Sequence, residues 1–279
     1  MYIQHFGLRA LPFTITPDTD FFMNRSGYQD ALNVLLVAIR SGEGFIKVTG
    51  EVGLGKTLLC RKLLNVLPQH KFKTAYIHNP YLTPESMLFA VADEIGVDYD
   101  DNINQHRLLK LITLRLLKLV QAGRNVVLCL DEVQAMPIET LEALRLLTNL
   151  ETENRKLIQV VLFGQPELDR VLGQESIRQL EQRITFSYKL LPLNRVALRA
   201  YLNHRLSVAG CEDPHLFDKK AIESLFKASG GTPRLINILA HKAMLSAFGQ
   251  GDYTIRSRHV REAIEDTQEA SKPGMLNSL

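Results

Sequence analysis

The 279-residue sequence contains no tryptophan and only three cysteines. Cys60, Cys129 and Cys211 are far apart and form no CxxC pair, which excludes a zinc knuckle or a disulfide framework as the basis of the fold. The first residues do not combine a basic segment with an apolar one, as a secretory signal does. No apolar run approaches the ~20 residues that a membrane-spanning helix needs. These absences predict a cytoplasmic protein.

The sequence also lacks a large excess of charge of one sign. The chain has 33 Lys and Arg against 30 Asp and Glu, a net charge of +3 that is too small to indicate a nucleic-acid-binding protein by itself. Hydrophobic residues make up 46% and charged residues 23%, which is ordinary for a globular protein. Disordered, fibrous and coiled-coil proteins are thereby excluded, and the length accommodates one large domain or two smaller ones.

Short apolar runs alternate with amphipathic stretches as far as residue 190. The predicted strands cover Gly44–Thr49, Thr74–Ile77, Asn125–Leu130, Leu157–Phe163 and Thr185–Leu190. The predicted helices between them cover Thr57–Leu67, Pro84–Ile95, Leu108–Val120 and Ile138–Leu150. Buried strands that alternate with helices predict an α/β fold with a parallel sheet covered by helices.

After Pro192 the strand patterns nearly vanish. Four helices are predicted there, over Arg195–Ser207, Lys219–Ala228, Thr232–Phe248 and Ser257–Asp266. We therefore expect an α/β core over residues 1–191, a small helical lid over residues 192–268, and a flexible tail over residues 269–279.

The glycine-rich segment between the first predicted strand and helix matches the P-loop pattern GxxxxGK[ST]. Its glycines let backbone N–H groups surround phosphate oxygens, and the helix start adds a positive dipole end. Lys56 is predicted to reach the β- and γ-phosphates, and the Thr57 hydroxyl to bind Mg²⁺. The predicted ATP-binding residues are Gly50, Glu51, Val52, Gly53, Leu54, Gly55, Lys56, Thr57 and Leu58.

The strand over residues 125–130 ends in two acidic residues. A carboxylate at the carboxyl end of a strand beside a P-loop is typical of a Mg²⁺ ligand, and we assign this role to Asp131. Glu132 is then placed to act as the general base that polarises the attacking water.

Two further polar residues are candidates for contact with the γ-phosphate. Gln165 follows the strand expected to lie between the two motif strands, where it would place the water and sense the γ-phosphate; a turn residue is the alternative role. Arg234 lies in the segment Gly231–Arg234 (GTPR), in which Thr232 and Pro233 favour a helix start. A cation at a helix N-terminus is disfavoured by the dipole, which favours a functional role for Arg234 in binding the γ-phosphate.

An arginine before the last strand of the core is a candidate arginine finger. Arg183 would complete the active site of a neighbouring copy and stabilise charge in the transition state. Arg178 is the alternative candidate, and a surface ion pair is the alternative role for Arg183.

Five features of the sequence resemble, in order and spacing, those of the AAA+ ATPases of the initiator-like and RuvB-like branch. They are the P-loop, the acidic pair, Gln165, Arg183 and the GTPR segment, which matches the sensor 2 box of that branch. At finer grain the chain is similar to the ExeA/GspA secretion ATPases over about residues 1–268. The segments that carry this resemblance are Phe6-Gly7-Leu8, Pro12-Phe13, Thr16-Pro17-Asp18, Gly42–Phe45 (GEGF), Thr49–Thr57 (TGEVGLGKT), Leu130–Gln134 (LDEVQ), Leu146–Thr152 (LLTNLET) and Gly164–Leu168 (GQPEL).

The resemblance implies roles for further residues. Asn79 matches a switch residue that holds Glu132 away from water until a partner engages, although an Asn before Pro80 is also typical of a turn. Phe13, Phe22 and Tyr28 would border the adenine, with packing in the core as the alternative.

The resemblance also implies a biological role. It implies an ATPase that assembles with copies of itself and couples ATP hydrolysis to the assembly of a type IV pilus or a secretion apparatus. Secretion members of the family continue into a transmembrane segment and a peptidoglycan-binding module, whereas the shorter layout of this sequence is most similar to MSHA-type pilus biogenesis ATPases. We therefore expect a cytoplasmic protein that reaches the inner membrane through a membrane-bound partner.

Two alternative functions remain open. The first is a DNA-associated ATPase of the transposition-helper type, for which a basic patch on the last helix (Arg256, Arg258, His259 and Arg261) is the candidate surface. The second is a nucleotide-gated scaffold that hydrolyses little ATP, which Glu132 and Gln165 argue against.

Overall fold

The computed structural model describes residues 2–16, 18–23, 27–79, 81–100, 102–152, 155–213 and 215–270. Pro17 and Pro80, which belong to the motifs above, and the expected flexible tail beyond residue 270 lie outside the described residues. Contacts group the chain into two units. The sheet unit comprises Gly27–Val52 and Leu59–Leu190, and the helical unit comprises Met1–Ser26, Gly53–Leu58 and Leu191–Leu279.

The sheet unit contains five parallel strands in the order β2-β3-β6-β1-β7, and strands β4 and β5 form a short antiparallel hairpin. The strands are β1 Phe45–Thr49, β2 Phe72–Ile77, β3 Asn125–Leu130, β4 Glu151–Thr152, β5 Arg155–Lys156, β6 Ile158–Gly164 and β7 Ile184–Lys189. The parallel α/β fold predicted from the sequence is confirmed, and β6 lies between the two motif strands as expected.

Twelve α-helices are formed by the described residues. They are α1 Tyr2–His5, α2 Tyr28–Arg40, α3 Lys56–Val66, α4 Pro84–Ile95, α5 Gln105–Gln121, α6 Ile138–Leu147, α7 Glu167–Leu172, α8 Arg178–Glu181, α9 Arg195–Val208, α10 Lys219–Ser229, α11 Pro233–Gly249 and α12 Ser257–Glu265. In the part of the chain that the structure describes, no helix has both the length and the apolar character that crossing a membrane requires.

The register of the sheet places Gly50, Asp131 and Gln165 at one edge. Strand β6 is buried along its whole length, as expected for a central strand covered by helices. Thr49 at the end of β1 pairs with Gly164 at the end of β6, and Leu130 at the end of β3 pairs with Leu162. Because the strands are parallel, the residues that follow β1, β3 and β6 all emerge at the same edge.

The helical unit contains the four helices α9 to α12. Helices α9 and α10 begin at side-chain caps, since Asn194 accepts from the backbone N–H of Ala197 (2.8 Å) and Asp218 accepts from that of Ala221 (2.6 Å). Their apolar faces pack into a core with α11 and α12. The bounds of these four helices agree closely with the predicted helical segments.

A buried polar network ties the N-terminal segment to helices α9 and α11. Arg205 is buried, and its Nη1 donates to the Tyr201 hydroxyl at 3.0 Å. That hydroxyl donates to Oδ1 of Asn237 at 2.9 Å, and Nδ2 of Asn237 donates to the carbonyl of Thr14 at 3.1 Å. Residues near Thr14 therefore belong physically with the C-terminal helices.

Candidate active site

The loop between β1 and α3 begins at the sheet edge. The backbone N–H of Gly50 donates to the carbonyl of Gly164 at 3.2 Å, which continues the pairing of β1 with β6 by one residue. Glu51 and Val52, the next two residues, are exposed. The start of the glycine-rich loop is thus fixed beside the end of the strand that precedes Gln165.

The rest of the loop, from Gly53 to Leu58, belongs to the helical unit. Gly53 and Gly55 have φ angles of 81° and 82°, a conformation that L side chains rarely adopt. Helix α3 begins at Lys56, whose side chain is buried, and Thr57 is half-buried in its first turn. The backbone N–H groups of a helix's first turn have no partner within the helix, and they favour an anion such as phosphate.

Gly53 also contacts the segment that precedes helix α11. Its carbonyl accepts from the backbone N–H of Arg234 at 3.1 Å. A Cβ at Gly53 would lie 2.9 Å from Cβ of Arg234 and 3.0 Å from Cγ2 of Thr232, so only glycine fits. Arg234 itself is exposed. The structure therefore brings the predicted sensor arginine to the glycine-rich loop through the backbone.

The start of helix α11 depends on packing more than on the predicted cap. Thr232 occupies the cap position and Pro233 the first turn, as expected, but the Thr232 side chain makes no capping hydrogen bond. Gly231 has a φ of 80°, and a Cβ there would lie 2.0 Å from the carbonyl oxygen of Leu193. The helix therefore starts where Thr232 and Pro233 predict, and the close approach of these two backbones holds the start without a side-chain cap.

At the end of β3, both oxygens of Asp131 have partners in the sheet unit. The carboxylate is 4% exposed; its Oδ1 accepts from the backbone N–H of Glu132 at 3.0 Å. The hydroxyl of Tyr76 in β2 lies 3.4 Å from Oδ2 and donates to it. Burial, followed by the nearby Asp131 charge, raises the pKa of Tyr76 above its ordinary value. The tyrosine is thus kept protonated and orients the buried carboxylate.

Glu132 is the one non-glycine residue with a positive φ (54°) in the part of the chain that the structure describes. Its Oε2 accepts two side-chain hydrogen bonds, from Nε2 of Gln165 at 3.0 Å and from Nε2 of Gln134 at 2.6 Å. Gln134 also accepts, through Oε1, from the backbone N–H of Gln165 at 2.9 Å. The predicted general base and the predicted sensor therefore touch, and Gln134 joins them.

Two predicted residues have other partners. Oδ1 of Asn79 accepts from the backbone N–H of Tyr81 at 3.1 Å, a turn contact of the kind that Asn commonly makes. Nη1 of Arg183 contacts Oδ1 of Asn149 and lies 3.5 Å from Oγ1 of Thr148, just beyond helix α6. Arg178, the alternative finger, is exposed at the start of α8. The roles of Asn79 and Arg183 stay predictions.

The aromatic residues expected near the adenine are all buried: Phe13, Phe22 and Tyr28. Phe13 packs edge-on against Phe217, with ring centroids 5.9 Å apart. This contact supports the alternative role of Phe13 in the core of the helical unit.

Half of the expected basic patch at helix α12 is paired with an acidic residue. His259 is buried, with Nε2 lying 3.0 Å from Oδ2 of Asp252. Arg258 pairs with the same carboxylate. Arg256 and Arg261 are exposed. Two of the four basic side chains are thus committed to contacts within the helical unit.

Gln134 and Tyr76 are the site residues that received no role from the sequence. Gln134 stands two residues after Glu132 in the segment LDEVQ, and Tyr76 lies in β2, which pairs with β3. A polar side chain close behind an acidic pair, and a tyrosine in the neighbouring strand, are the signals that point to them.

The sequence relationships agree with this geometry. A family model described as an AAA domain matches residues 39–172. Over 255 residues the chain is 45% identical to general secretion pathway protein A of Aeromonas hydrophila. The match covers 91% of this chain and 46% of that protein, so the chain spans about half the length of this curated relative.

Solved structures with the same fold include proteins of three kinds. Cdc6p of Pyrobaculum aerophilum superposes with a TM-score of 0.68 at 18% identity, over 89% of this chain and 70% of that one. The ORC2 protein of Aeropyrum pernix gives 0.67 at 18% identity, over 92% and 73%. The RuvB branch migration motor of Thermotoga maritima gives 0.57 at 17% identity, also over 92% and 73%. At these identities the likeness establishes a shared fold.

Proposed function

We propose that this chain is an AAA ATPase that binds ATP with Mg²⁺ and hydrolyses ATP. The support is its match to the AAA domain model over residues 39–172 and its 45% identity to general secretion pathway protein A. The observation that carries the proposal is the contact of Glu132 with Gln165 at the sheet edge, beside the buried Asp131. A base, a polar sensor and a metal-binding carboxylate at the end of adjacent parallel strands are the groups that phosphoryl transfer to water requires.

The donor set fits a magnesium ion. Within the described residues, no cluster of three or more His, Cys, Asp or Glu side chains is arranged to hold a metal. Mg²⁺ in nucleotide sites needs only one or two protein oxygens, because phosphate and water supply the others. In this proposal the Thr57 hydroxyl and the Asp131 carboxylate supply those oxygens, and the bound ion would neutralise charge on the phosphates.

Each remaining residue has one task. The amide groups of residues 50–58 and the ammonium of Lys56 bind the phosphates. Glu132 accepts one proton from the attacking water. The oxygen of that water bonds to the γ-phosphorus, and the bond from the γ-phosphorus to the bridging oxygen breaks, so that ADP leaves. Gln165 and Arg234 bind the γ-phosphate and stabilise the charge that develops on it.

We further propose that ATP hydrolysis is coupled to the assembly of a type IV (MSHA-like) pilus or a secretion apparatus. The support is the relative's role in general secretion, as its name states it. In this proposal the protein acts in the cytoplasm at the inner membrane, self-associates, and binds a membrane-bound pilus or secretion component.

Two variants test the enzymatic part. Lys56→Ala removes the phosphate-binding ammonium and should abolish ATP binding. Glu132→Gln removes the base and should bind ATP while hydrolysing it poorly, so that an ATP-dependent oligomer accumulates. A wild-type protein that neither binds nor hydrolyses ATP contradicts the proposal.

The partner can be sought with the same trapped variant. Affinity purification of Glu132→Gln from the native membrane fraction should recover a pilus or secretion component. ATPase activity that DNA stimulates with a steep dependence on salt would instead support the DNA-associated function. The pairing of Arg258 with Asp252 argues against that alternative.

A further inference from the structure

Gln134 has no task in the mechanism proposed above, yet its backbone is firmly held. It lies in the one-turn 3-10 helix that follows Glu132. Val133 and Met136 on either side are buried, and the backbone N–H of Met136 donates to the carbonyl of Val133 at 3.0 Å. These anchors fix the position from which the Gln134 side chain projects.

Both ends of the Gln134 amide are engaged. Nε2 donates to Oε2 of Glu132 at 2.6 Å, and Oε1 accepts from the backbone N–H of Gln165 at 2.9 Å. The amide lies close to the end of β6, since a Cβ at Gly164 would come within 3.2 Å of its oxygen. Gln134 therefore bridges the main chain at the end of β6 and the carboxylate of the base.

The two glutamines hold this carboxylate in different ways. Nε2 of Gln165 also contacts Oε2, but in the proposed mechanism this side chain binds the γ-phosphate and has to leave the carboxylate. The anchor of Gln134 is a main-chain N–H, which stays in place when the Gln165 side chain rotates. In the proposed mechanism, Glu132 therefore keeps its hydrogen bond from Gln134 when Gln165 turns to the γ-phosphate.

We infer that Gln134 is a positioning residue for ATP hydrolysis, which holds the carboxylate of Glu132 in the orientation that accepts the proton of water. This inference rests on the proposed ATPase function. Positioning of a reacting group acts on the chemical step, so its loss lowers kcat and leaves nucleotide binding unchanged.

The first test is a pair of substitutions at position 134. Gln134→Met keeps the length of the side chain and removes both hydrogen bonds; we expect kcat to fall about 10- to 100-fold. Gln134→Glu keeps an oxygen that accepts from the backbone N–H of Gln165 but loses the donor to Glu132. If Gln134 only braced the end of β6, Gln134→Glu would retain activity; we expect it to lose at least as much as Gln134→Met.

The second test asks whether Gln134 acts through Glu132. In the Glu132→Gln background, Gln134→Met should change the residual rate by less than about twofold, because residues that act as a unit are not additive. Gln121→Met, the same change at an exposed glutamine at the end of α5, is the matched control. KM and the Kd of a fluorescent ATP analogue should stay at the wild-type values throughout.

The outcomes separate the two proposals. A wild-type protein without ATPase activity overturns the proposed function. A wild-type protein that hydrolyses ATP, together with a Gln134→Met variant that has an unchanged or higher kcat or a change confined to KM, overturns the inference alone. If Gln134→Met does not fold, kcat of Gln134→Glu is compared with that of the wild type after thermal unfolding has shown that the two proteins have the same midpoint. A lower kcat supports the inference, and an unchanged kcat overturns it.

Discussion

The backbone N–H of Arg234 donates to the carbonyl of Gly53, across 3.1 Å, and this bond joins the start of helix α11 to the glycine-rich loop. The two residues lie 181 positions apart in the sequence. A displacement of the loop at Gly53 is therefore transmitted to the residue that carries the predicted sensor guanidinium.

Alanine at Gly53 should prevent this approach. A Cβ would meet Cβ of Arg234 at 2.9 Å in addition to the strain of a φ of 81°. We expect a loss of nucleotide affinity and a loss of stability of about 2 kcal/mol or more. Gly251→Ala is the control, because Gly251 has a φ of 72° but nothing within 4 Å of its Cβ position. Equal loss of ATP affinity in the two variants would contradict the role of the contact.

Tyr76→Phe should raise the Mg²⁺ concentration that ATP hydrolysis requires. The variant removes the hydroxyl that orients Oδ2 of Asp131 and leaves the ring in place. A hydrogen bond of this kind is worth ~1 kcal/mol, so the Mg²⁺ concentration for half-maximal hydrolysis should rise about three- to fivefold. Tyr99→Phe, which loses a hydroxyl contact to Asp93, is the control. An unchanged magnesium requirement would show that Tyr76 only packs.

Stability should depend on pH through Tyr2 and His241, whose hydroxyl oxygen and Nδ1 lie 2.8 Å apart. Burial raises the pKa of Tyr2 to about 12, so the folded state keeps a proton that the unfolded state loses, and stability declines as pH rises from about 10 towards 12. Burial lowers the pKa of His241, so stability also declines as pH falls below about 6.5.

Tyr2→Phe isolates this pair in thermal unfolding measured from pH 5 to pH 11. We expect a loss of about 1 kcal/mol at pH 8 and a weaker decline above pH 10 than in the wild type. Tyr253→Phe, at a largely exposed tyrosine, should leave both unchanged. An alkaline decline that is the same in Tyr2→Phe as in the wild type would assign it to other groups.

Arg183→Ala tests the predicted arginine finger. If Arg183 acts on a neighbouring copy, the variant should lose hydrolysis by about 10³-fold while it still binds ATP, and mixing it with Lys56→Ala should restore activity at hybrid sites. Asn149→Ala removes the main contact of Arg183 within the chain and is the control for a structural effect. If mixing restores nothing while Arg178→Ala does recover on mixing, Arg178 is the finger.

The sequence predicts those parts of the fold that local pattern encodes. The bounds of α4 and β3 agree with prediction to the residue, because Thr83 and Pro84 mark a helix start and Asn125–Leu130 is one continuous apolar run. Helix α2 is missed, since its nearly unbroken apolar run does not distinguish a helix from a strand. Helix α6 ends three residues before the predicted Leu150, where the chain turns into the β4–β5 hairpin.

The candidate site shows the same division. The P-loop and the acidic pair can be recognised from spacing alone, because their chemistry needs fixed residue types beside a strand and a helix. The bridge made by Gln134 cannot, because it depends on the left-handed backbone of Glu132 and on the side-chain contacts of a loop. Such contacts leave no regular spacing of residue types in the sequence.

The left-handed backbone of Glu132 has a consequence for how the gene can change. Every residue except glycine, and to a lesser degree Asn or Asp, pays about 1 kcal/mol or more to adopt this conformation. Selection for thermal stability alone therefore favours replacement of Glu132, the proposed general base, while selection for turnover retains it. Libraries screened only for soluble, heat-resistant protein should accumulate Gly or Asn at position 132, and so drift towards inactive members that fold well.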